Sequence, residues 1–157
     1  MLATLDLKFG DGDYTFALPV TQLLELQRLC GAGIFTIYGR VLKGRYILEG
    51  GLKFGVPGEC EAHALDVYET IRLGLIGGNS GLVNGQQVTV NANRARELVE
   101  IYAHPPVPLK EAWDVAAAIL FAAIEGHGED DQKKSPEPVE AKASTRSTKR
   151  KSSRTAQ

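Results

Sequence analysis

Histidine, cysteine and tryptophan are scarce in this 157-residue chain, at three, two and one respectively. The cysteines, Cys30 and Cys60, belong to no C-x-x-C pair, which argues against a zinc ribbon or a redox dithiol. His63, His104 and His127 are scattered, and no two have the i, i+4 spacing that brings two imidazoles to one metal. No metal site is expected, and all three read as surface histidines. Two isolated cysteines without a secretory signal read as buried thiols of a reducing cytoplasm. Met1–Gly10 has no basic region leading into an apolar run, so no signal peptide is expected. The longest apolar run, Val115–Ile124, is half of what a membrane crossing requires. The expectation is a soluble, cytoplasmic protein with no membrane partner.

The arrangements that carry catalysis are also missing. Gly77-Gly78-Asn79-Ser80-Gly81 has no lysine beside it and follows a helical stretch, so it reads as a helix stop rather than a phosphate loop. Glu59, Glu61, Asp66 and Glu69 fall in the first half of one predicted helix, where carboxylates complement the helix dipole. Serine and threonine are abundant only in the C-terminal tail, where nothing rigid could hold a base against them. The chain is therefore read as a non-enzyme with no catalytic residue and no cofactor.

What is present divides into two unlike parts. Residues 1–126 hold 10 Lys and Arg against 14 Asp and Glu, whereas residues 127–157 hold 8 against 5. After Glu140 there is no acid, and Val139 is the only Val, Ile, Leu, Met or aromatic residue beyond Gly126. Such a segment cannot bury enough surface to offset its ordering entropy, so 127–157 reads as a disordered basic tail. Lys142 to Arg154 could contact nucleic acid through phosphate neutralisation, although no aromatic residue is interleaved to stack on bases.

Residues 1–126 read as one α+β domain, mainly helical. Leu5, Leu7 and Phe9 alternate with Asp6 and Lys8, then Gly10–Asp13 turns the chain, and Tyr14, Phe16 and Leu18 resume the alternation to Pro19. This hairpin is expected to pack on four or five helices. Thr21 is the predicted N-cap of a helix ending at Cys30 before Gly31 and Gly33. A second helix spans Ile34–Leu42 and stops at Gly44, and Tyr46–Leu48 could form a strand. A third runs from about Cys60 to Ile76, with Gly77 and Gly78 ending it. Residues 79–90 read as a loop with one short strand at Val88–Val90. Asn91 or Asn93 caps a fourth helix, which Pro105, Pro106 and Pro108 break. The last helix, Leu109–Glu125, is apolar over most of its circumference, so it must be buried centrally or covered by a partner. Core packing is the default for Trp113, although tryptophan is also enriched at binding hot spots.

The ordered set of these features resembles the small tail assembly chaperones of long-tailed phages and gene transfer agents, a family sometimes labelled a tail tube protein. The resemblance covers Leu5 to Gly126. It rests on the opening hairpin, on Leu24-Glu25 leading into Gly31-x-Gly33-Ile34, and on Tyr38-x-Arg40 with Gly44-Arg45-Tyr46. Ile71-x-x-Gly74-Leu75-x-Gly77-Gly78 and Leu98-Val99…Tyr102 follow, then Pro108-Leu109…Ala112…Ala116…Ile119-Leu120…Ala123…Gly126. The resemblance implies a chaperone that coats the helical tape measure protein in the host cytoplasm during phage assembly and helps recruit tail tube protein subunits. Trp113, Ile119, Leu120 and Ala123 are then the candidate surface for the tape measure protein or for self-association. Two alternatives belong to other classes: a tail tube or head–tail joining component of the virion, and a nucleic-acid-associated protein acting through its basic tail.

Overall fold

Period-2 alternation sets the first element, because it leaves one apolar face to bury. In the computed structural model, which describes residues 2–48 and 63–126, β1 (Thr4–Phe9) pairs antiparallel with β2 (Gly12–Ala17). Leu5, Leu7 and Phe9 share the inner face with Tyr14 and Phe16, while Asp6 and Lys8 stay in solvent. Gly10 takes the positive φ of 60° that the two-residue turn requires. Cys60, His127 and the expected disordered tail 127–157 lie outside the described residues.

α1 (Val20–Cys30) begins two residues earlier than an N-cap at Thr21 implies. Its N-cap is Pro19, whose ring fixes φ at −58°, and no side chain caps the end. Gly31 closes the helix in the left-handed region at φ 63°. The Gln27 side chain then carries the chain into the next helix, its Oε1 accepting from the Ile34 amide at 2.8 Å. α2 (Ile34–Leu48) continues straight through Gly44, so the expected stop and the alternative strand at Tyr46–Leu48 are both overturned. Glycine inside a helix costs only about 1 kcal/mol, and without a left-handed cap it does not end one.

α3 (Ala64–Gly78) starts after His63, whose backbone is extended, and the expected start near Cys60 lies outside the described residues. Gly77 and Gly78 are inside this helix, and Asn79 at φ 48° is the residue that ends it. The glycines serve packing. A Cβ on Gly77 would overlap the Ala17 carbonyl oxygen, and one on Gly78 would overlap that of Thr15. One turn earlier, a Cβ on Gly74 would sit 3.2 Å from the Phe16 ring. This bare stripe lets α3 lie directly on the backbone of β2.

Residues 79–90 form a second hairpin rather than a loop. β3 (Ser80–Val83) and β4 (Gln86–Val88) are joined by Asn84-Gly85, both at positive φ. β3 also pairs with β2, giving an antiparallel sheet in the order β1-β2-β3-β4. Asn91 caps α4 (Ala92–Tyr102), its Oδ1 accepting from the Arg94 amide at 2.9 Å. α5 (Leu109–Glu125) has the expected bounds. The fold is therefore α+β and mainly helical: a sheet built on the N-terminal hairpin, with five helices among the described residues. Its core joins Tyr14 and Phe16 of the sheet to Leu26, Ile37, Ile71, Leu75, Leu98 and Leu120 from all five helices.

Candidate partner-binding surface

α5 places most of its apolar residues inside the fold, Leu109 and Phe121 being exposed. Trp113, Ile119 and Leu120 are buried with Ala112, Ala116, Ala117 and Ala122. Ala123 is half-buried and packs on the same core. The four residues singled out in the sequence thus stand together on one helix, but three of them are interior and closed to a partner in this fold. The physical reason is that α2 and α3 both pack on α5, whose alanines let neighbouring helices approach closely. Burying Leu120 alone contributes about 1.5–3 kcal/mol. The Trp113 indole Nε1 donates to nothing among the described residues, so its ring acts there as an apolar body.

The exposed apolar residues lie elsewhere. Val20 and Leu24, one turn apart on α1, are 70% and 57% exposed. They border a groove of about 490 Å³ with Leu73 and Ile76 of α3. Leu73 is buried, so the groove has an apolar floor as well as apolar walls. Glu25 and Arg28 form its polar rim, Arg28 donating twice to the Glu25 carboxylate at 2.6 and 2.8 Å. That pairing holds the Glu25 carboxyl below the usual glutamate range. A second exposed set comprises Phe35, 74% exposed, and Leu42 on α2 and Phe121 on α5. The α1 pair was missed because Leu24 reads as one of a run of leucines with Leu23, Leu26 and Leu29, although at about 100° per residue Val20 and Leu24 stand on the face of the helix opposite the buried Leu26. Only the position of α3 decides which of them is covered.

The polar groups are internal braces. Arg40 of α2 meets the buried Asp66 of α3: Nη2 donates to Oδ1 at 3.0 Å, and Nε stands 2.8 Å from Oδ2. The Nε contact is an ion pair and not an aligned hydrogen bond. Arg40 Nη2 also reaches the Cys30 carbonyl at the end of α1, at 3.4 Å. Cys30 is half-buried beside this pair; burial first, then the Asp66 charge, pushes its thiol up to about 12. At neutral pH it is a packed thiol and not a nucleophile. A second brace joins the hairpin turn to α4. Tyr14 Oη and Arg94 Nη2 both donate to the Asp11 carboxylate, at 2.6 and 2.5 Å. The Tyr14 hydrogen bond is the largest cause of a lowered Asp11 pKa, while burial raises that of Tyr14.

His63 stands at the N-cap position of α3 without a capping side-chain hydrogen bond, and the His104 ring packs against Tyr68 at a tilt of 56° with centroids 4.4 Å apart. Among the described residues no three His, Cys, Asp or Glu side chains converge on one point that could hold a metal. None of the described helices is long and apolar enough to cross a membrane. Comparison with known proteins yields no match to a family model, a curated protein or a solved structure.

Proposed function

We propose that this chain is a non-enzymatic phage tail assembly chaperone that binds the tape measure protein in the host cytoplasm and helps recruit tail tube subunits. The observation that supports this reading best is the α1–α3 groove. Two exposed apolar side chains one turn apart, an apolar floor and a charged rim suit an amphipathic helix that inserts an i, i+3/i+4 stripe. A long helical protein offers many such stripes. The surface assigned to the partner accordingly moves from Trp113, Ile119 and Leu120 to Val20 and Leu24.

Co-expression with the longest helix-rich protein encoded nearby tests the proposal. The partner should be soluble only with this chain and should co-purify with it, and Leu24→Asp should abolish both effects. Indifference of the partner to this chain sinks the chaperone reading. Mass spectrometry of purified particles then distinguishes a chaperone, which should be absent, from a tube or joining subunit, which should be present.

A further inference from the structure

β1 is the long edge of the sheet, and among the described residues its only strand neighbour is β2. The turn fixes which of its backbone groups face away from β2. Gly10-Asp11 is a two-residue loop, so Phe9 and Gly12 are a hydrogen-bonded pair. Alternation makes Leu7–Tyr14 and Leu5–Phe16 bonded pairs too. The same parity closes across the sheet, since Asp13 and Thr15, not bonded to β1, are the residues that face Leu82 and Ser80 of β3. The N–H and C=O groups of Asp6 and Lys8 therefore point out of the sheet edge.

Three two-fold antiparallel registers set Asp6 and Lys8 opposite themselves or each other. One centred on Asp6 sets two carboxylates against each other, and one centred on Lys8 does the same with two ammonium groups. The register centred on Leu7 sets Asp6 opposite Lys8 of the second copy, twice. It also sets Leu7 against Leu7 and Leu5 against Phe9 on the inner face. Opposite charges directly across a ladder stabilise it and like charges destabilise it. The strand Leu5-Asp6-Leu7-Lys8-Phe9 thus sets opposite charges against each other in one register only.

We propose that two copies of this chain associate edge to edge through β1, with Leu7 at the two-fold axis, so that their sheets become continuous. The apolar side of the strand supports the same partner. Leu5 and Leu7 are only half-buried, although the adjoining Phe9, Tyr14 and Phe16 are buried. A cleft of about 500 Å³ lies between the turn end of β1 and α5, bordered by Phe9, Tyr102, Ala112 and Val115. It leaves space beside Phe9, where Leu5 of the second copy falls in this register. The proposal is independent of what α1 and α3 bind.

A charge-swap cycle on the full chain tests it, read by sedimentation equilibrium with circular dichroism to establish folding. The wild type should dimerise below about 100 μM. Asp6→Lys and Lys8→Asp should each weaken the dimer about tenfold or more, because both opposed pairs become like-charged. The double variant recreates both attractive pairs and should return to within about threefold of wild type. Thr15, which donates to Asp6 at 2.6 Å, loses its acceptor in Asp6→Lys and in the double variant alike, so that loss cannot produce the recovery. If Asp6→Lys does not fold, Lys8→Asp alone decides, since Lys8 holds no ion pair among the described residues. A monomeric wild type, a Lys8→Asp dimer as tight as wild type, or a double variant no tighter than the single ones overturns the proposal.

Discussion

Arg40 on α2 holds Asp66 on α3 in a two-pronged contact, 2.8 and 3.0 Å, and the carboxylate it holds is only 1% exposed. Two helices separated in sequence by residues 49–63 are thereby held together. Removing the guanidinium leaves a buried charge without compensation. Arg40→Met should destabilise the domain by about 3–5 kcal/mol. Arg40→Met with Asp66→Leu should recover most of that loss, because an apolar pair needs no desolvated charge. Urea denaturation of the two variants checks both statements, and an equal loss in each would show that packing rather than charge holds the contact.

The α3 glycines give an opposed pair of outcomes. Gly77→Ala and Gly78→Ala force the helix off the Ala17 and Thr15 carbonyls, and each should cost about 2 kcal/mol or more. Gly39→Ala on α2 meets nothing within 4 Å and should stabilise by about 0.5–1 kcal/mol. Thermal melts of the three variants are sufficient.

Partner binding and folding separate on two leucines. Leu120 is fully buried, so Leu120→Asp should unfold the domain, a loss above about 4 kcal/mol. Leu24 is more than half exposed, so Leu24→Asp should shift stability by no more than about 0.5 kcal/mol while abolishing capture of a helical partner. Retained capture by a folded Leu24→Asp protein would remove the groove from consideration.

Acid titration should register the Asp11 brace. Its carboxyl is held below the usual aspartate range, chiefly by the Tyr14 hydroxyl. A depressed folded pKa means the unfolded chain takes up the proton first as pH falls. The contribution is therefore complete above the ordinary aspartate pKa and is lost as pH drops through the folded value. Because both Asp11 and Arg94 are about one-third exposed, that contribution is small, roughly 0.5–1 kcal/mol. Asp11→Asn should flatten the acid limb of stability against pH by that amount, and an unchanged limb would exclude the brace as its source.

Cys30 should resist alkylation. With its thiol pushed up to about 12, little thiolate exists at pH 8, and the peptide carrying it should label at least about tenfold more slowly than a free cysteine peptide. Time-resolved mass spectrometry gives the ratio, and equal rates would show that the environment of Cys30 opens in solution.

The sequence alone determined what depends on neighbours along the chain. Alternation marked β1 and β2, the apolar density of Leu109–Glu125 gave α5 its bounds, and Gly31 and Asn91 announced their caps. The second hairpin was not legible: residues 79–90 read as a loop with one short strand at Val88–Val90, because strands of four and three residues are too short and polar for alternation to show, and only the Asn84-Gly85 turn could have signalled it. Tertiary structure decided the rest. Whether a glycine ends a helix or lets it touch a strand depends on what lies opposite, as Gly77 shows against the Ala17 carbonyl. Whether an apolar residue is core or surface depends on which helix covers it. Trp113, Ile119 and Leu120 became interior and Val20 and Leu24 stayed outside because burial is a property of contacts between distant segments, which periodicity along one helix does not encode.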